Sequence, residues 1–161
     1  MGTRHYRRPG RGSCGDYVIA KADPGKLGHV KLNKILWCAD LEHYRWHAAT
    51  ITGLRHYSRT LHGPLSQDIV RAVGRLAREG KVEERTVAVT DYPHREMVSL
   101  QDPDISGFTG AQIDILDQMI RHWPASASQL SRMNRNDPLW NELENNEAMS
   151  AATGSIVTPR R

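Results

Sequence analysis

The stretch KLNKILWCADLEHYRWH, residues 31 to 47, spaces its apolar side chains as an α-helix does, and it constrains the fold more than any other feature. Successive helical residues step by about 100°. Leu32, Ile35, Leu36, Ala39 and Trp46 therefore share one face, with His43 near its centre. Asp40 and His47 lie together at an edge of that face. Lys31, Lys34, Glu42 and Arg45 gather on a narrow arc opposite, and Trp37 and Leu41 form a second apolar edge. So narrow a charged arc predicts a central helix, from about Leu27 to His47, buried on most sides with its polar groups paired.

The segments around this helix are shorter. TITGLRHYSRTLHGP carries the β-branched and aromatic residues of a short extended piece, with a turn at Gly53. Pro64 suits the first turn of a further helix, whose stripe is Leu65, Ile69, Val73 and Leu76 and whose stop is Gly80. TVAV and MVSL, around TDYPHRE, read as a two-stranded hairpin, and Glu83 and Glu84 as a solvated turn. In FTGAQIDILDQMIRHW, Thr109 and Gln112 have the spacing of a reciprocal cap ahead of the stripe Ile113, Leu116 and Ile120. SASQLSRMN and DPLWNELENN read as two short helices. The expected fold class is mainly α (α+β), a compact helical domain around a central long helix with a small antiparallel β-hairpin.

Charge divides the chain. Residues 1–34 carry a net +6, Arg160 and Arg161 add +2, and residues 35–159 carry −4. Residues 1–26 read as a basic, flexible arm with order near DYVIAK, 27–147 as the folded domain, and 148–161 as a small, polar, disordered tail. A folded body with negative net charge argues against nucleic acid as its main partner. No run approaches the roughly 18 apolar residues of a membrane span. The N-terminus has arginines but no apolar signal core, and Tyr6 stands where a myristoylation signal has Ser or Thr. Cys14 and Cys38 form no CxxC and read as reduced thiols of a cytoplasmic protein.

Chemistry is sparse. Asp40, His43 and His47 fall on adjoining turns, and a His pair four residues apart can share a metal. No HExxH is present and no cysteine offers a further ligand, which favours a hydrogen-bonded structural cluster. There is no GxSxG, and GRGSCG neither follows a strand nor opens a helix. The expectation is a protein that is not an enzyme and has no metal or cofactor. A winged-helix DNA binder is the rival reading: Arg71, Arg75 and Arg78 lie off the apolar stripe and a hairpin follows. Asp68, Glu79 and the acids of KVEER weigh against it.

The order of motifs resembles the Panacea antitoxin domain, also called the SocA-like antitoxin domain. Its members show a K-L-x-K-L-L-Y-x-A-D-x-x-H helix, an I-T-G turn and a Y-G-P-V-P junction. Lys31, Leu32, Lys34, Ile35, Leu36, Ala39, Asp40 and His43 answer the first. Ile51, Thr52 and Gly53 answer the second, and Gly63 and Pro64 the third. FTGAQIDILDQMI, SASQLS and DPLW are similar to the closing helices, so the resemblance covers roughly residues 27–147. His62, Ser66, Trp37 and Asn134 depart from the pattern.

The resemblance implies an antitoxin of a bacterial or phage toxin–antitoxin pair. Such domains accompany many unrelated toxins, including toxic small alarmone synthetase-like enzymes, and act by protein contact. The partner implied is a cognate protein toxin, encoded by a neighbouring reading frame. Asp40, His43, Gly53, Gly63 and Pro64 are the expected structural residues, with Asp40 and His43 paired and tied to the segment around Tyr57 and Gly63. The expected contact residues are Arg55, Tyr57, Arg59 and His62, an exposed aromatic and cationic strip, with Arg71, Arg75 and Arg78 adding charge against an acidic surface.

Overall fold

A computed structural model describes residues 11–24, 27–61, 63–89, 92–122 and 148–150. Among them, four helices and two small antiparallel sheets make a mixed α+β fold. The 19-residue helix α2, His29–His47, buries every residue from Lys31 to Leu41. Its neighbours are α4 (Gly110–His122), the short strand β2 (Gly63–Leu65) and α1 (Arg11–Lys21). Packing on several sides covers even the charged arc. Lys31 is 4% exposed and Lys34 2%. A correction applies at the other end. The last turn of α2 projects past the core, leaving Trp46 67% exposed, with its indole donating to Glu42 at 2.9 Å.

The larger departure precedes α2. Residues 11–21, assigned to a flexible arm, form α1, and Cys14, Tyr17, Val18 and Ile19 belong to the core. The glycines and polar residues of this segment mask a short apolar face, which becomes a core face against α3 and α4. Tyr17 caps the contact by donating its hydroxyl to Asp117 at 2.5 Å. Both cysteines are buried thiols outside any disulfide, and burial raises them, which holds them protonated.

After α2, β1 (Tyr57–Thr60) pairs with β2 through Ser58 opposite Leu65, Arg59 opposite Pro64 and Thr60 opposite Gly63. On its other side β1 pairs with β5 (Ala148–Met149), which buries Met149. Ala148 and Met149, placed by the sequence in a disordered tail, instead join a sheet whose partner lies far back in the chain. Helix α3 (Gln67–Arg78) buries Ile69, Val73 and Leu76 as its stripe requires. It ends in a Schellman arrangement: Gly80 takes φ 73°, Gly80 N–H bonds Ala77 C=O, and Lys81 N–H bonds Leu76 C=O.

Strands β3 (Val82–Val89) and β4 (Tyr92–Ser99) pair from Val82 opposite Ser99 to Val89 opposite Tyr92. Both are longer than TVAV and MVSL. The acids Glu83 and Glu84 stand on β3, exposed, rather than in a turn. Helix α4 opens with the reciprocal cap: Thr109 N–H to Gln112 Oε1 at 2.9 Å and Gln112 N–H to Thr109 Oγ1 at 3.2 Å. SASQLSRMN, DPLWNELENN and most of the two ends lie outside the described residues. Among the described residues, no helix is long and apolar enough to cross a membrane.

If α1 is core rather than arm, Ile19→Ala lowers stability by about 2–5 kcal/mol in urea denaturation, the usual range for a buried Ile truncated to Ala. A change within about 0.5 kcal/mol, as at a surface position, contradicts the placement.

Candidate functional site

Helix α2 reaches the segments after it through a line of polar groups on an otherwise apolar surface. Asn33 and Asp40 are seven residues apart and fall on nearly the same line of the helix. Asn33 donates its amide to His29 C=O at 2.8 Å, and its Oδ1 accepts the Ser66 N–H at 2.9 Å. That bond fixes the junction between β2 and α3. Asp40, wholly buried, gathers the segment just after the helix. Its Oδ1 accepts the N–H groups of Ile51 at 2.8 Å and Thr52 at 3.0 Å. Its Oδ2 accepts the hydroxyls of Thr52 at 2.5 Å and Tyr57 at 2.6 Å.

This arrangement dictates the local chain. Thr52 Oγ1 also accepts the N–H of Leu54 at 3.1 Å, so the backbone must reverse at Gly53, which takes φ 78°. Tyr57 is driven inward, 2% exposed, with its ring edge-on to Trp37 at 5.0 Å between centroids. His43 is not among the donors to Asp40. Its Nδ1 bonds Ala49 C=O at 2.5 Å, which requires the proton on that nitrogen, and its ring stacks on His47 at 4.5 Å. The expected Asp40–His43 pair is thus two separate clamps on one returning segment. The tie from Asp40 to Tyr57 is present.

Burial pushes Asp40 up to about 6 against the opposing pull of its four hydrogen bonds. Tyr57, buried against that carboxylate, is pushed up as well. The arrangement is closed: neither group reaches solvent, and both are engaged. Among the described residues no three His, Cys, Asp or Glu side chains converge as a metal site. A cavity of about 400 Å³ does open beside the two histidines, walled by Ala49, Thr50, Thr109 and Gln112. It lies at the edge of the cluster, beyond Asp40.

The family model described as Antitoxin SocA-like, Panacea domain, matches residues 32–141, more than half of the chain. The chain belongs to this family. The matched span begins on α2 and takes in the Asp40 cluster, α3, the β3–β4 pair and α4. This protein therefore carries an antitoxin-like Panacea domain, with its N-terminal helix α1 ahead of the matched span. No curated protein and no solved structure matches the chain.

Among the Panacea residues expected to be structural, Asp40 and His43 clamp the segment after α2. Gly53 and Gly63 hold φ of 78° and 135°, and Pro64 is buried on β2. The expected contact strip fares differently. Arg55 is exposed and Arg59 half-buried on β1, but Tyr57 is a core residue, which corrects its assignment as an exposed contact. At the start of β1 Tyr57 turns to the inside, where Asp40 supplies the acceptor its hydroxyl needs. His62 lies outside the described residues. Arg71, Arg75 and Arg78 are all exposed on the outer face of α3, with Arg71 3.4 Å from Asp68. Sequence reasoning passed over Asn33 and named Thr52 and Ser66 only as motif positions, without their hydrogen bonds to α2. The available signal was an Asn seven residues before Asp40 on the same line of an apolar helix.

Tyr57→Phe keeps the ring and removes one donor, and costs about 1–3 kcal/mol in denaturant unfolding. A cost near zero would mean that the hydroxyl does not support Asp40. The pH dependence has a definite sign. The folded value of Asp40 lies above its ordinary value of 3.8, so the native state binds this proton more tightly than the unfolded chain. Its contribution to stability is full below about pH 4 and is lost as pH rises through about 6. Tyr57→Phe removes a bond that favours the charged form, so the window moves upward. Carboxyl ¹³C titration reads both; a value at or below that of an ordinary aspartate contradicts the account.

Proposed function

We propose that this protein is a cytoplasmic antitoxin that neutralises a cognate protein toxin by direct binding, without catalysis, the toxin being encoded by a neighbouring reading frame. The observation that carries the reading is the Panacea match over residues 32–141. The closed state of the Asp40 cluster supports it: the most chemically suggestive residues of the chain are occupied in holding the fold. The interaction surface in this reading is the outer face of α3. Ile69, Val73 and Leu76 anchor the opposite face, so Arg71, Arg75 and Arg78 extend from a rigid support, and guanidinium groups suit an acidic partner surface. Arg55 and Arg59 extend the cationic surface on the segment around β1.

The second reading is a winged-helix-like DNA-binding regulator, favoured by the arginine face of α3 leading into the β3–β4 pair. Glu83 and Glu84 stand exposed on β3, where a wing would meet phosphate, and weigh against it.

The test is growth rescue. The neighbouring frame is induced with and without this chain, and the two products are co-purified. Rescue with a stoichiometric complex is the expected result. A toxic neighbour that is neither rescued nor bound overturns the reading for that pair. Operator affinity that falls steeply with salt, with no toxin complex, favours the DNA-binding alternative.

Within a complex, Arg75→Glu with Arg78→Glu weakens toxin binding by about tenfold or more. Stability stays within about 0.5 kcal/mol, because both residues are exposed. Unchanged affinity moves the interface away from α3.

A further inference from the structure

The cavity beside the two histidines has no part in the reading above. It lies between the end of α2 and the start of α4, where His43, His47, Thr50, Thr109 and Gln112 surround about 400 Å³. Gln112, the third residue of α4, is 4% exposed. Its Oε1 accepts the Thr109 N–H at 2.9 Å, which identifies the oxygen of the carboxamide and leaves Nε2 as its other arm. Among the described residues nothing accepts a hydrogen bond from that Nε2, so two N–H donors of a nearly buried amide lack a protein partner. The nitrogen is not sealed in. Among the described residues, the side-chain polar atoms both sealed and unbonded are Asp16 Oδ1 and His29 Nδ1. Gln112 Nε2 therefore keeps accessible surface, and the open space that Gln112 borders is this cavity.

The rest of the wall has the same polarity. Gln112 N–H is taken by Thr109 Oγ1 at 3.2 Å. The N–H groups of Gly110 and Ala111 precede the first helical bond, Ile113 N–H to Thr109 C=O at 3.1 Å, and carry the positive end of the helix dipole. His47, exposed and stacked at 4.5 Å on His43, adds an imidazole N–H and becomes a cation when protonated. Thr50 spends its hydroxyl proton on Leu54 C=O at 3.2 Å. Among the described residues that line the cavity there is no carboxylate, lysine or arginine.

Donors in excess of acceptors select a ligand rich in acceptors. A carboxylate suits them better than a phosphate: it presents two oxygens and a single charge, whereas a dianion would lack the lysine or arginine that neutralises it. The volume exceeds the roughly 30 Å³ share of one water, so a small organic acid fits.

We propose that this cavity is a carboxylate-binding site, with Gln112 Nε2 and the first N–H groups of α4 as donors and His47 at its mouth. The carboxylate belongs either to a free small organic acid or to an aspartate or glutamate side chain of a partner. The site stands independently of the antitoxin reading.

The test titrates the full ¹⁵N-labelled chain with sodium propionate, against sodium chloride at equal ionic strength. Saturable shifts are expected at the Gln112 side-chain amide and the Ala111 N–H with propionate alone. In Gln112→Glu a carboxylate oxygen still accepts the Thr109 N–H, so the cap is kept while the donor is lost and a like charge introduced. This variant binds propionate about tenfold or more weakly, the loss expected for a hydrogen bond to a charged group. His47→Ala, at an exposed position, weakens binding severalfold and decides the matter if Gln112→Glu does not fold. A blocked Gly-Glu-Gly peptide separates the sources: binding as tight as that of propionate assigns the site to a side chain, and exclusion of the peptide assigns it to a free small acid. The proposal is overturned by propionate shifts that match those of chloride, by parent-like binding in the folded variant, or by phosphate binding more tightly than propionate.

Discussion

The buried carboxylate of Asp40 is the interaction on which the chain after α2 depends. A wholly buried carboxylate is tolerated only when donors surround it, and here four donors come from three residues within a short return segment. To bring them in, the chain must turn at Gly53 and send Tyr57 inward against Trp37. That placement fixes the face of β1 that points to the core, and the register of β1 on β2 follows. Asn33 then holds the next junction through Ser66, where α3 begins. The direction of α3, and with it the arginine face, depends on two polar side chains of one helix.

Energetically, the cluster gives geometry rather than reactivity. Its hydrogen bonds offset the desolvation of Asp40 only in part, since the group still lies above the ordinary carboxylate range. The constellation that looks most like chemistry in the sequence is therefore a device for specifying one chain path. The groups exposed to meet other molecules are elsewhere, on the arginine face of α3, held out by an apolar stripe.

Much of this was legible where a local rule decides the outcome. The stripe Ile69, Val73 and Leu76, the stop at Gly80 and the Thr109–Gln112 cap follow from spacing and residue type alone. Asp40 stood out as a charge at the edge of a strongly apolar helix. What local rules missed was mostly a matter of neighbours. Lys31 and Lys34 sit on the polar arc by periodicity, but α1, α4 and β2 cover α2 on several sides. Trp46 sits on the apolar face, yet the helix outruns its partners by one turn. RGSCGDYVIAK has too little helix preference to declare itself before the core receives it.

The sequence by itself determined the family, the amphipathic helices and the need for Asp40 to find donors, because each is written in residue type and short-range spacing. Only the tertiary structure decided which donors those would be and that Tyr57 is core rather than contact. It also decided that Ala148 and Met149 close a sheet with residues 57 and 58, and that Gln112 borders a cavity. These outcomes depend on contacts between residues distant in the chain. Burial is a property of such contacts, and no local pattern encodes it.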